Sequence, residues 1–280
     1  MKTNAKDRPR LKLGVMASLP QGPEEELKKA HDLGLETCQA TCWQRDLFNA
    51  DMARRLIAAA EQFQVEVTTV WVGLPGPAVW NFIEGPATIG LVPEQYRAER
   101  VATLKEGADF AVRVGVSTIT THVGFIPEDP GNPLYRGVVD ALGEVVEHCR
   151  DKGITFCFET GQETPITLLR VIEDLGRDNL GINLDPANLL MYGKANPLDA
   201  LDIIGPYVRG VHAKDGEYPT NGRNLGVEKP LGEGRVNFPL LVPKMKSLGY
   251  TGALTIEREI SGPRQIEDIR RAISILSELA

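Results

Sequence analysis

Short apolar, β-branched runs alternate with longer amphipathic stretches from one end of the chain to the other. Eight runs read as strands: LKLGVMA from Leu11, LETCQA from Leu35, VEVTTVWV from Val65, STITTHV from Ser117, ITFCFET from Ile154, LGINLD from Leu180, YVRGVHA from Tyr207 and GALTIE from Gly252. The stretches between them carry helical patterning. Pro23 followed by Glu24, Glu25 and Glu26 predicts a helix start, and Ile266, Ile269, Ile273 and Leu276 form a stripe at helical spacing near the C-terminus. Strict alternation predicts an all-parallel sheet, and 280 residues over eight units suit a single-domain α/β fold, the (β/α)8 TIM barrel. A doubly wound open sheet competes, but the MASLPQGPEE segment after the first strand lacks its glycine fingerprint. No linker or composition shift divides the chain. The expected division is therefore a disordered extension over residues 1–10 and the barrel over 11–280. Two long connections, LPGPAVWNFIEGPATIGLVPEQ and DGEYPTNGRNLGVEKPLGEGRVNF, follow the third and seventh strands and belong to the C-terminal, catalytic face.

Composition narrows the function classes. The chain is 42% hydrophobic and 25% charged, an ordinary globular profile. Its 38 acids outnumber 31 bases for a net charge of −7, which argues against a duplex nucleic-acid partner. No apolar run approaches the roughly 18–20 residues of a membrane span, and the polar opening MKTNAKDRPR does not read as a signal peptide. The four cysteines are too few and scattered for a disulfide scaffold. A cytoplasmic protein without membrane or nucleic-acid partners is expected.

Strand parity then picks out chemistry. In ITFCFET the large residues Ile154, Phe156 and Phe158 share one face, leaving Glu159 on the other, toward the barrel axis. The same reasoning turns Asp185, His212 and Glu257 inward at the ends of the next three strands. Three carboxylates around one point repel unless a cation is present. An O3N set suits one divalent metal, with Mn2+ the first expectation and Mg2+, Co2+ or Zn2+ as alternatives. Any one of these residues alone reads as a strand-end cap or a surface ion pair; four coincident placements do not.

The segments CFETGQE, NLDPANLLMYG, VHAKDG, PLGEGRVNF and LTIERE resemble the motifs of the sugar phosphate isomerase/epimerase superfamily, the xylose isomerase-like TIM barrels. Within it, the resemblance to D-tagatose 3-epimerase-type enzymes implies that Glu159, Asp185, His212 and Glu257 bind one metal and that Glu159 and Glu257 are the acid–base pair. The implied activity is isomerisation or epimerisation of a sugar, sugar phosphate or cyclitol through an enediolate. A metal stabilises that enediolate while one glutamate removes the proton next to the carbonyl and the other returns it. Related lyases use a similar site for β-elimination on a keto sugar, 3-keto glycoside or inosose, and this is the alternative. An AP endonuclease is the remote one, disfavoured by the charge and by the absence of histidine in the seventh loop. The expected ligand is a small carbohydrate, with a homo-oligomer, dimer or tetramer, left open.

The ketose 3-epimerases have a histidine where this chain has Asn188, and a substrate arginine whose replacement here is Arg223 or Arg235. Lys214 is a further candidate for gripping substrate. His122, Gln39 and Trp71 are candidate substrate contacts at the ends of other strands, and Trp71, Trp80 and Phe82 could wall a sugar ring, although aromatic loop packing is the simpler reading. Gly232 and Gly234 bear a weak likeness to a phosphate-binding loop.

Overall fold

A computed structural model describes residues 10–280; of the expected N-terminal extension, all but Arg10 lies outside the described residues. The expected barrel forms. Strands β1 (Leu13–Ser18), β2 (Thr37–Cys42), β3 (Glu66–Val72), β4 (Thr118–Thr121), β5 (Thr155–Glu159), β6 (Leu180–Leu184) and β7 (Val208–Ala213) come first. The short antiparallel pair β8 (Asp215–Gly216) and β9 (Glu228–Lys229) interrupts them, and β10 (Leu254–Ile256) closes the barrel against β1. Every barrel pairing is parallel.

The helices follow in the expected alternation: α1 (Pro23–Asp32), α2 (Ala50–Phe63), α3 (Glu94–Val114), α4 (Pro133–Asp151), α5 (Pro165–Leu175), α6 (Pro186–Met191), α7 (Pro197–Ile204), α8 (Phe238–Ser247) and α9 (Pro263–Leu279). The sixth unit holds two of them, α6 and α7, where the sequence predicts one. Local chemistry explains the starts. Asn49, Asn132, Thr164 and Asn196 accept hydrogen bonds from first-turn amides of α2, α4, α5 and α7, and α1 begins at Pro23 with three acids in its first turn. Ile269 and Leu276 of the α9 stripe are buried, while Ile266 and Ile273 sit at its margin. All four cysteines are buried and free. Among the described residues no helix is long and apolar enough to cross a membrane.

Two register shifts bear on the site. One lies between Cys38 and Gln39 in β2 against β3, the other between Ile182 and Asn183 in β6 against β7. The extra residues are Thr68 of β3 and Arg209 of β7, and in the adjoining strands Gln39 Nε2 donates to Asn183 Oδ1 across the barrel interior at 2.9 Å. Gly210 of β7 makes room for that bond, because a Cβ there would lie 2.3 Å from Asn183 Oδ1.

Candidate active site

Four strands deliver Glu159, Asp185, His212 and Glu257 to one point at the C-terminal end of the barrel, with one donor atom from each within 4.8 Å of all the others. His212 is the hub. Its Nδ1 is 3.1 Å from Glu159 Oε1, 3.0 Å from Glu257 Oε2 and 3.9 Å from Asp185 Oδ2. The Gln39 amide spends its NH2 on Asn183 and so presents its carbonyl to His212 Nε2 at 3.0 Å. That contact assigns the neutral ring's proton to Nε2 and leaves the Nδ1 lone pair facing three carboxylates.

Such a lone pair requires a cation. Burial pushes the imidazole down, yet Glu159 and Glu257, with Asp185, hold it well above the usual histidine range. In the metal-free protein a proton on Nδ1 therefore meets the demand. Two further atoms point the same way: Asp185 Oδ2 and Glu257 Oε2 are buried with no hydrogen-bond partner. Asp185 divides its labour. Its Oδ1 accepts from the Asn188 amide at 2.8 Å and caps α6, which turns Oδ2 toward the cluster. Burial raises the Asp185 carboxyl above its ordinary range against the pull of Lys214 and His212. The two glutamates go the other way: burial is overcome at Glu159 by His122 and His212, and at Glu257 by Lys214 and His212, so both are held below the usual carboxylate range. These residues fit a divalent ion: three hard oxygen ligands, one imidazole, and orphaned lone pairs aimed at a common point.

The four ligand candidates are not equivalent toward solvent. Glu159 and Glu257 line a cavity of about 390 Å³, whereas Asp185 and His212 are closed off behind it. The Glu257 side chain is the most open of the set at 16% exposure. Glu159 is fixed by Trp71, whose indole N–H donates to Oε2, and by His122, whose Nε2 is 3.4 Å from Oε1.

The remaining sequence candidates divide. His122, Trp71 and Asn188 line the cavity. Gln39, expected to bind a substrate hydroxyl, is buried and spends both ends of its amide on Asn183 and His212, so it orients the His212 imidazole. Lys214, expected to grip substrate, is buried. Its Nζ is 2.8 Å from Glu259, 3.5 Å from Glu257 and 3.6 Å from Asp185, and these acids, once they overcome its burial, hold its pKa well above the usual lysine range. Arg223 and Arg235 are both exposed and neither lines the cavity. For Arg235 the reason is Asp215, which the sequence did not single out. Its Oδ1 accepts from the amides of Gly216 (2.8 Å) and Val236 (3.1 Å), and its Oδ2 from Gly232 (2.9 Å) and Gly234 (3.1 Å). This buried carboxylate ties the seventh loop back on itself and leaves Arg235 outside. Trp43 and Glu259 also line the cavity unforeseen. Trp43 directly follows β2 on the catalytic face, a strand-end signal of the kind that marked His122.

Two consequences can be measured. Gln39→Leu frees Nε2 and is expected to weaken metal binding about 10–100-fold, the range for lost outer support of a histidine ligand, read by Mn2+ titration. Asp215→Ala strands four amides and is expected to cost about 2–4 kcal/mol in urea unfolding.

The comparisons with known proteins agree with this architecture. The family model described as xylose isomerase-like TIM barrel matches residues 27–279. A xylose isomerase domain protein from Planctomyces limnophilus superposes with a TM-score of 0.92 at 36% identity, over 97% of this chain and 98% of that one. Uncharacterized protein MJ1311 of Methanocaldococcus jannaschii is 25% identical over 281 residues, which is 96% of this chain and 89% of the relative. The 3-keto-D-glucoside 4-epimerase YcjR of E. coli shares the fold with a TM-score of 0.71 at 17% identity, over 96% of this chain and all of that one.

Proposed function

The chain belongs to the xylose isomerase-like TIM barrel family, and from that premise we propose that it is a divalent-metal-dependent isomerase or epimerase of a small carbohydrate with Glu159 and Glu257 as its acid–base pair. One observation carries the reading: of the four clustered residues, only the two glutamates reach the cavity. Asp185 and His212 serve as ligands alone, while Glu159 and Glu257 can both touch substrate. A sugar epimerase of the same fold among the similar structures supports the substrate class.

A divalent ion held by Glu159, Asp185, His212 and Glu257 would supply Lewis acidity at the substrate carbonyl and so acidify the neighbouring C–H. The chain's own groups do the rest. One glutamate, as the carboxylate, removes the proton from one face of the substrate, and its partner relays a solvent proton back from the other face; the reverse direction exchanges the roles. Trp71 and His122 hold Glu159 at a fixed angle, which keeps the proton transfer short. Lys214 balances the surplus negative charge around Asp185, Glu257 and Glu259.

Incubation of Mn2+-loaded protein with a panel of ketoses and inososes in D2O, followed by chelation and NMR, tests the proposal. Deuterium next to the carbonyl with an intact carbon skeleton is expected. An unsaturated or cleaved product would make the chain a lyase instead. Absence of any exchange across the panel would overturn the acid–base assignment.

A further inference from the structure

The cavity presents two chemically different walls. The amides of Gly232, Gly234 and Val236, where a barrel of this topology could cradle a phosphate, are already taken by the Asp215 carboxylate. Each basic side chain along the cavity is also engaged. Lys29 lies 3.2 Å from Glu26, His122 3.4 Å from Glu159, and Arg258 sits between Glu228 at 2.7 Å and Asp268 at 2.8 Å. Three carboxylates, Glu159, Glu257 and Glu259, face the same space. A phosphate group held away from the ion at Glu159 and Glu257 would meet Glu259, with no unpaired basic side chain to receive it.

The other wall is aromatic. Trp71 stands beside Glu159, and its ring packs 5.1 Å from that of Trp43; Trp80 lies edge-on to Trp43 at 6.2 Å and 5.1 Å from His122. Trp43 is seated against Gly73, where a Cβ would fall 2.5 Å from the indole. Trp71 is buried, but Trp43 and Trp80 remain 45% and 40% exposed on the rim of the same cavity. One indole next to the reacting glutamate suffices for the apolar face of a sugar ring. Two more, half open to water and continuous with it, form a surface that such a ring leaves uncovered.

We propose that the substrate is an unphosphorylated carbohydrate bearing a ring ketone and an apolar, flat substituent, as in an aryl glycoside whose sugar ring carries a ketone, with its ring at the glutamate pair and its substituent on Trp43 and Trp80. This rests on the isomerase reading for the reacting end and goes beyond it in naming what the other end carries.

Calorimetric titration of Mn2+-loaded protein with methyl and phenyl β-D-glucopyranosides and galactopyranosides, and with glucose 6-phosphate, tests it without turnover. A phenyl glycoside is expected to bind at least about 10-fold tighter than its methyl counterpart, and glucose 6-phosphate to give no saturable heat over the same range. Trp43→Ala and Trp80→Ala should each bring the phenyl-to-methyl ratio close to one. A ratio of one in the parent protein, no binding of any glycoside, or a phosphate ester binding as tightly as the phenyl glycosides overturns the proposal. So does a change of oligomeric state in the variants with the ratio intact, which would make the indoles an interface. Exchange on a free ketose without phenyl preference removes only the substituent; phenyl preference without exchange on any ketone removes only the isomerase reading.

Discussion

Glu257→Gln is expected to abolish formation of the epimerised or isomerised product, with kcat falling by about 10²–10⁴, the usual worth of a positioned general acid or base. The amide keeps the shape and one oxygen of the glutamate but can neither accept nor return a proton. Glu257 is the right place to look first because it is the most solvent-open of the four clustered residues. Its loss therefore perturbs packing least. The companion Glu159→Gln should fall by a similar factor, with an added loss of order, because Trp71, His122 and His212 all converge on that carboxylate. A specific signature separates an acid–base role from mere metal binding. With one glutamate left, wash-in of solvent deuterium at the substrate carbon should persist in the variant whose remaining carboxylate faces the reactant's proton, while product does not form. Retention of full kcat in both variants would remove the pair from the mechanism.

The second large effect concerns the ion. Mn2+ at a hundred times its Kd should stabilise the fold by about 2.7 kcal/mol, roughly 5 °C in Tm for a chain of this size. Asp185→Asn should erase most of that increment at the same Mn2+ concentration. The amide oxygen still caps α6 by accepting from Asn188, so the substitution removes ligand charge and leaves the helix start intact. Without metal the same variant should be no less stable than the parent, since burial already pushes the Asp185 carboxyl above its ordinary range. Metal binding must also displace the proton that His212 holds in the metal-free state. Apparent affinity should accordingly fall as pH is lowered, and the proton released on binding can be counted by calorimetry in buffers of different ionisation enthalpy. An unchanged Tm across a Mn2+ titration of the parent protein would remove the ion from the site.

Much of this architecture was legible along the chain. Period-two and helical patterning are local, so eight strands, the Pro23 helix start and the inward parity of Glu159, Asp185, His212 and Glu257 could be read residue by residue. The strand-end rule for barrels then turned parity into convergence. What parity cannot report is where a long flexible side chain finds its partner. Arg223 and Arg235 were both reasonable replacements for a substrate arginine, and Lys214 for a phosphate or hydroxyl grip. Yet the two arginines lie outside the cavity, and the lysine is consumed by Glu259, Glu257 and Asp185.

The sequence by itself determined the barrel, its closed order of units and the four residues at its mouth, because those follow from alternation over short distances and from one global rule of topology. Only the tertiary structure decided how they are used. Gln39 became a support for His212 through its bond to Asn183, more than a hundred residues away, with Gly210 leaving the space between them. Asp215 filled the amide nest that Gly232 and Gly234 suggested for a phosphate. Two glutamates were left facing the cavity while the aspartate and histidine were sealed behind them. Each of these outcomes is a contest between partners brought together from distant segments, settled by distance and desolvation in three dimensions, and no local pattern encodes its result.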